Sequence, residues 1–309
     1  MRRESAARAV NLTLLLLVCV VFGYSFITVK ELLTGGFPLF LLLGLRFLLG
    51  GALLLGLRPC RLLGGQARFQ RAELQYGALL GVVTFAAYVF QTIGTGITTP
   101  AKNGLFTGLY VIFVPLLLMA VRRVWTARPL FAAALSFAGV LLISNVLFER
   151  FSLNAGDLLS VVCAAAFAVQ IVLLGKYAPS VHPVNFTAVQ LLTASALSLL
   201  VSLVWERPFA ADVPWAEAWP GLLFLAVFPT GLSAFVQTFV QARLPAAAVA
   251  VVLCTESIFA VLFSVLTGYD RLTVPFLAGA ALMVVSMFLS AVGSPAAPDR
   301  SAGAEAEEV

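Results

Sequence analysis

Long runs of apolar residues alternate along the chain with short segments that contain charged residues, proline or glycine. A helix of about 20 mostly apolar residues crosses the hydrocarbon layer of a bilayer. The pattern therefore predicts an all-α integral membrane protein with ten transmembrane helices. The predicted spans are 10–29, 37–57, 74–96, 101–121, 130–147, 157–175, 184–205, 219–241, 245–267 and 273–292.

The composition excludes a soluble protein of this length. Hydrophobic residues make up 61% of the 309 positions and charged residues only 11%, and the mean hydropathy is +1.03. One soluble core of this size does not bury that much apolar surface. We therefore expect a multi-pass protein whose solvent is lipid.

The basic residues predict the orientation in the membrane. Most of the 19 Lys and Arg residues fall before the first span or in alternate loops, around Arg58–Arg71, Arg122–Arg128, Lys176 and Arg243. Basic loops stay in the cytoplasm, so both termini are expected there. These loops also account for the net charge of +5, and no nucleic-acid partner is expected. Residues 293–309 are predicted to form a disordered, acidic cytoplasmic tail.

The two halves of the chain match when one is shifted by 146 residues. The shift aligns Lys30 with Lys176, Thr84 with Thr230, Gln91-Thr92 with Gln237-Thr238, Phe113 with Phe259, Pro129 with Pro275 and Ser144 with Ser290. The match predicts two five-helix repeats, at 1–150 and 151–292. Because five is an odd number, the second repeat enters the bilayer from the opposite face, which makes an inverted repeat.

An inverted repeat has a physical use in transport. Two similar halves pack in two nearly equivalent ways, and each arrangement opens a shared cavity to a different side of the membrane. Alternating access follows from that pair of states. The alternative is that the duplication only builds a stable helical bundle.

Two ionisable residues lie near the middle of predicted spans, Arg46 in the second and Glu256 in the ninth. A charge at that depth costs about 2.5–3.5 kcal/mol and needs a partner or a hydrated cavity. Both are candidate substrate-binding residues, and Glu256 is a candidate proton carrier because burial disfavours the charged form of a carboxyl group. The alternative is a structural ion pair between them.

Neutral polar residues also interrupt the apolar spans. The candidates for substrate binding are Tyr24, Tyr88, Gln91, Asn103, Tyr110, Gln170, Gln237 and Gln241. Their polar groups need partners in a place without bulk water, so they either line a cavity or join helices by hydrogen bonds. Gln91 and Gln237 are repeat-related and should occupy symmetric positions.

Two lysines lie at span ends predicted to face outside, Lys30 and Lys102. Such lysines commonly extend toward the lipid headgroups. Lys102 is also a candidate substrate-binding residue, because Thr99-Pro100 begins a helix whose free N–H groups favour an anion such as a carboxylate.

Enzymatic chemistry finds little support in the sequence. His182 is the single histidine, and the motifs H-E-x-x-H, G-x-S-x-G and G-x-x-x-x-G-K-[ST] are absent from the sequence. We therefore expect no metal, no cofactor and no enzyme activity. A membrane-embedded lipid-modifying enzyme is the remote alternative, and a passive facilitator or channel for small metabolites is the nearer one.

The order of short motifs resembles the EamA-like branch of the drug/metabolite transporter superfamily. The motifs are Gly23-Tyr24-Ser25-Phe26 with Lys30, Leu45-Arg46-Phe47, Gly108-Leu109-Tyr110-Val111 with Pro115, and Thr255-Glu256. The resemblance implies a bacterial inner-membrane carrier, often an exporter of amino acids or other metabolites, with its cavity between the repeats. Many members have proline after the glutamate, whereas Ser257 here keeps its N–H, so a kink at that point is not expected.

The resulting hypothesis is a secondary transporter for a small polar or amphipathic metabolite, amino-acid-like or drug-like. We expect an exporter that works by alternating access, as a monomer or homodimer, with protons as the candidate coupling ion.

Overall fold

The computed structural model describes residues 2–58, 68–123, 125, 127–143, 153–206 and 213–292, and the predicted tail 293–309 lies outside them. Regular structure in these ranges is helical, and they contain no strand. The first copy holds α1 (Arg2–Thr34), α2 (Leu39–Leu57), α3 (Arg71–Ile97), α4 (Pro100–Thr107), α5 (Tyr110–Arg122) and α6 (Ala127–Ile143). The second holds α7 (Ala155–Tyr177), α8 (Pro183–Val201), α9 (Trp215–Leu225), α10 (Ser233–Gln241), α11 (Ala246–Leu253), α12 (Glu256–Leu266) and α13 (Val274–Val292).

Eight helical segments are long and apolar enough to cross a membrane, so the multi-pass membrane fold is confirmed. They are Ala9–Thr34, Leu39–Leu57, Arg71–Ile97, Pro100–Arg122, Ala155–Ser180, Pro183–Glu206, Trp215–Gln241 and Ala246–Leu266. The helices α6 and α13 occupy the positions of the predicted fifth and tenth spans, but their described apolar parts are shorter. The count of ten spans and the cytoplasmic termini stay predictions.

Contacts between the two copies come in matched pairs. The helix α1 packs on α11 and α12, just as α7 packs on α4 and α5. Likewise α3 packs on α8, and the segment Trp215–Gln241 packs on α2. Two further contacts, α2 with α8 and α6 with α13, join equivalent helices of the two copies. Exchanging the copies leaves each of these contacts unchanged. Two related copies facing each other across a two-fold axis produce this pattern.

Two spans are interrupted at equivalent positions. Between α4 and α5 the backbone N–H groups of Leu109, Val111 and Ile112 bond to carbonyls three residues back, and between α11 and α12 those of Thr255, Ser257 and Ile258 do the same. Each set differs from the other by 146 residues. The helices therefore tighten into a 3₁₀-like turn at the same point of each copy.

The second turn forms although Ser257 keeps its N–H. That N–H bonds to the carbonyl of Cys254, at 3.1 Å, rather than to the residue four positions back. The turn is therefore made by tightened hydrogen bonds and needs no proline after Glu256. In the first copy Pro115 lies inside α5 and not at the turn.

Glycine permits the closest approach between the copies. A Cβ atom on Gly23 would lie 2.4 Å from that of Phe259, and one on Gly104 would lie 2.4 Å from that of Ala260. The helices α1 and α4 thus press on α12 with no room for a side chain. This contact places the two interrupted spans against each other beside the cavity described below.

Candidate functional site

A cavity of about 50 Å³ lies between the two copies, with room for a few water molecules. Its lining comes from both copies and includes residues of α1, α3, α5, α7, α8, α10, α11 and α12. Five pairs of lining residues are related by the 146-residue shift. They are Ser25 and Ile171, Thr84 and Thr230, Tyr88 and Ala234, Gln91 and Gln237, and Tyr110 and Glu256. The cavity therefore lies on the symmetry axis of the repeat.

Six of the predicted site residues line this cavity. They are Tyr88, Gln91, Tyr110, Gln170, Gln237 and Glu256. Sequence reasoning missed Ser25, Thr84, Gln190 and Thr230 as lining residues, together with Phe22, Phe26 and Phe167. The repeat match already contained Thr84 and Thr230, and Gln190 is a polar residue in an apolar span. Both were usable signals, whereas the phenylalanines carry none in so apolar a chain.

Glu256 and Tyr110 face each other in the cavity wall. Each is the first residue of the helix that follows its tightened turn. Both are buried, with 6% and 3% of their surface exposed. The Tyr110 hydroxyl has no hydrogen-bond partner within the described part of the chain. The two side chains are thus available to a bound solute or to water.

Arg46 lies behind the cavity wall and is not paired with Glu256. Its Nε donates a hydrogen bond of 2.9 Å to Thr230 Oγ1, and its Cζ lies 5.0 Å from the centre of the Tyr88 ring. No oxygen of Glu256 lies within 4 Å of its guanidinium nitrogens. The alternative of a structural ion pair between Arg46 and Glu256 was therefore wrong for this conformation.

Asn103 and Gln241 hold helices together next to the cavity without lining it. The Asn103 Nδ2 donates to the backbone oxygen of Gln91 at 3.0 Å. The Gln241 Nε2 donates to the backbone oxygen of Ile171 at 2.9 Å, and its Oε1 accepts from Gln237 at 3.1 Å. In this structure both side chains hold cavity-lining residues in place by hydrogen bonds. Direct contact of either side chain with a substrate stays a prediction.

Tyr24 lies away from the cavity, on the outer surface of α1. It is 39% exposed and packs edge-to-face against Phe224 and Phe263, with ring centres 5.4 and 5.3 Å apart. An aromatic side chain placed this way closes the seam between α1, α9 and α12. Nothing in this placement brings it to a solute in the cavity.

Lys102 lies in a polar cluster at one end of the bundle. Its Nζ is 3.6 Å from a carboxylate oxygen of Asp157, which is fully buried. The same carboxylate accepts a hydrogen bond from the Thr98 hydroxyl and one from the backbone N–H of Asn154. The cluster ties α4 and the end of α3 to the start of α7, and hence the first copy to the second.

Lys30 lies at the same end and caps a helix. Its Nζ donates to the backbone oxygens of Thr95, Gly96 and Thr98, at 3.0, 2.9 and 3.0 Å. These carbonyls lie at the C-terminal end of α3, where a cation is favoured by the helix dipole. Lys30 therefore does not extend to the headgroups in this structure.

A second polar cluster closes the opposite end. The buried carboxylate of Glu73 accepts hydrogen bonds from the His182 backbone N–H at 3.1 Å and from Asn185 Nδ2 at 3.0 Å. Asn185 in turn accepts from Arg58 Nε at 2.9 Å. This cluster joins α2 and α3 of the first copy to α8 of the second. The cavity thus lies between two polar ties that each cross the interface.

Known families add an independent observation. The EamA-like transporter family matches the chain twice, at residues 10–145 and 154–292. The chain belongs to the EamA-like transporter family. The two matches cover both copies of this EamA-like protein, so each copy matches the family by itself.

Relatives of this EamA-like protein have similar descriptions. It is 27% identical over 218 residues to a protein of Archaeoglobus fulgidus named an uncharacterized transporter, which covers 70% of this chain and 68% of that one. It is 29% identical over 282 residues to the uncharacterized transporter YvbV of Bacillus subtilis, with 89% and 90% covered. A solved crystal structure shares its fold, with a TM-score of 0.68 at 21% identity over 92% of this chain and 98% of that one.

Proposed function

We propose that this protein is a secondary transporter that moves a small polar or amphipathic metabolite across a bacterial inner membrane by alternating access. The observation that carries the proposal is the cavity itself, which equivalent residues of the two copies line in five pairs. A site on the symmetry axis is the one place that remains shared when the copies exchange their arrangements.

The ends of the helices support ten spans and an inverted repeat. Asp157 at the start of α7 contacts Thr98 at the end of α3, so these two ends lie at one face. The segment Pro100–Arg122 leaves that face and crosses the bilayer. The chain must then return through α6 before it reaches α7. With α6 as the fifth span, the second copy begins at the face opposite to the first.

The matched turns support a two-state cycle. A stretch of 3₁₀ geometry inside a longer helix often marks a hinge, and here one turn precedes Tyr110 and the other precedes Glu256. Both residues line the cavity, so a bound solute touches both hinges at once. Binding is thereby coupled to the angle between the halves of the fourth and ninth spans.

The two polar clusters serve as the alternate seals of this cycle. With the basic loops in the cytoplasm, the Lys102–Asp157 cluster closes the outer face and the Glu73–Asn185 cluster closes the inner face. Both clusters are formed in this structure, and the cavity lies between them. In the proposed cycle one cluster opens at a time.

A counterflow experiment distinguishes a carrier from a passive facilitator. Purified protein in liposomes is preloaded with one unlabelled metabolite of a panel, and uptake of the same labelled solute is followed with and without an imposed pH gradient. A carrier accumulates label transiently above its outside concentration. Simple downhill equilibration would favour a passive facilitator instead, and no flux for any solute would refute the transport function.

A cavity-filling variant supplies the specificity control. Ala234 lines the cavity, so Ala234→Trp should fill it and abolish counterflow. Leu200 lies in α8 with 59% of its surface exposed, so Leu200→Trp adds the same bulk outside the cavity and should leave flux unchanged.

A further inference from the structure

Arg46 is a buried cation for which the described residues provide no counter-ion. It lies in the middle of α2, with 2% of its surface exposed. A guanidinium group keeps its charge in proteins. No Asp or Glu oxygen of the described residues lies within 4 Å of its nitrogens. A charge kept at this depth without an anion calls for a functional explanation.

Most of the hydrogen-bonding capacity of this side chain is unused. A guanidinium group has five N–H donors, and here only Nε is engaged, by the hydroxyl oxygen of Thr230. The rings of Tyr88 and Phe47 lie 5.0 and 5.8 Å from Cζ, where they stabilise the cation. The two Nη groups donate no hydrogen bond to any residue in the described ranges.

The position of Arg46 links it to the cavity. Thr230, which accepts its hydrogen bond, and Tyr88, its nearest aromatic ring, are lining residues. The lining itself contains Glu256 but no Lys or Arg. Arg46 is therefore the cation nearest to a solute that reaches the Tyr88–Thr230 wall among those described.

We propose that Arg46 recognises a carboxylate group on the transported molecule. The two Nη groups match the two oxygens of a carboxylate, and Thr230 holds the guanidinium by its Nε side. The cargo is on this basis an organic acid or a molecule that carries a carboxylate among other groups. This inference rests on the proposed transport function and adds the chemical class of its substrate.

The test compares acids with their amides, which have the same shape and no charge. Phenylacetate with phenylacetamide and benzoate with benzamide are the probes, measured by the shift in unfolding temperature of the full-length protein in lipid nanodiscs. A lost charge-assisted hydrogen-bond pair weakens binding on the order of tenfold to a hundredfold. Wild-type protein should therefore bind each acid at least about tenfold more tightly than its amide.

The variants assign that preference to one side chain. Arg46→Gln should remove the preference for the acid and leave amide binding unchanged, and Arg46→Lys should keep part of it. Arg243→Gln is the matched control, because Arg243 also donates a hydrogen bond, from Nη1 to the backbone oxygen of Phe239, and stacks on an aromatic ring, but lies outside the cavity lining and both polar clusters. It should keep the full preference for the acid.

Two results would overturn the assignment. One is wild-type protein that binds neither acid, or binds acid and amide alike. The other is an Arg46→Gln protein that still prefers the acid, or that loses acid and amide equally. Should Arg46→Gln fail to fold, the wild-type comparison and Arg46→Lys still decide the matter. Failure of counterflow with intact acid binding would refute transport and leave anion recognition standing.

Discussion

Tyr110 and Glu256 are equivalent residues of two related copies, and both line one cavity. Each begins the helix that follows a tightened turn, so the same structural position carries a neutral hydroxyl in one copy and a carboxyl group in the other. The repeat thus preserves the hinge and changes its chemistry. The two positions therefore share a backbone geometry, but only one of the two side chains, the carboxyl group of Glu256, serves to bind and release a proton.

The carboxyl group at this position predicts the response to a pH gradient. Glu256→Gln removes the group that exchanges a proton and keeps its size, so pH-driven flux in proteoliposomes should fall to the rate without a gradient. Glu217→Gln changes an exposed carboxyl group at the start of α9 and should leave the response intact. Unchanged pH-driven flux in Glu256→Gln would show that Glu256 does not carry the coupling proton.

Close packing at Gly104 predicts a loss of stability on adding one methyl group. A Cβ there would lie 2.4 Å from that of Ala260, and overpacking of this kind typically costs about 1–3 kcal/mol. Gly104→Ala should lower the unfolding temperature of the purified protein. Gly56→Ala, in α2, adds the same group where no atom lies within 4 Å, and an equal drop in both variants would contradict the packing argument.

The Lys102–Asp157 pair predicts how the outer seal opens. Asp157→Asn weakens the tie from α7 to Lys102 and Thr98, so the outward-open state should gain population. A cysteine in place of Ser25, a lining residue, should then react several-fold faster with an impermeant maleimide added outside. Glu31→Gln alters an exposed carboxyl group of α1 and should have no effect. Equal labelling rates in Asp157→Asn and Glu31→Gln would show that the Lys102–Asp157 pair does not hold the outer face closed.

The long apolar runs predicted the helical membrane fold, because in lipid the backbone groups must bond within helices. The 146-residue shift predicted the two copies. The site was predicted in part for a related reason. Polar residues in apolar spans are costly, so Gln91 and Gln237 were visible in the sequence, and both line the cavity. The sequence did not show which polar residues line the cavity and which only join neighbouring helices, as Asn103 and Gln241 do.

The missing information is three-dimensional. Whether a polar side chain points to a cavity or to a neighbouring helix depends on the rotation of its helix, which residue spacing alone does not determine for helices buried on several sides. Arg46 illustrates this, because its depth was evident from the sequence while its place behind Tyr88 and Thr230 was not. The tightened turns were equally hidden, since Leu109 and Thr255 are ordinary helix residues.

The opposite orientation of the two copies is the central claim, and one pair of positions tests it directly. Thr34 and Ser180 are related by the 146-residue shift, and both are exposed at helix ends. Each is replaced by cysteine in a background with Cys19, Cys60, Cys163 and Cys254 changed to alanine, and an impermeant maleimide is applied to intact cells and to inside-out vesicles. Labelling of Thr34→Cys from outside only and of Ser180→Cys from inside only is the predicted result. Labelling of both from the same side would contradict it.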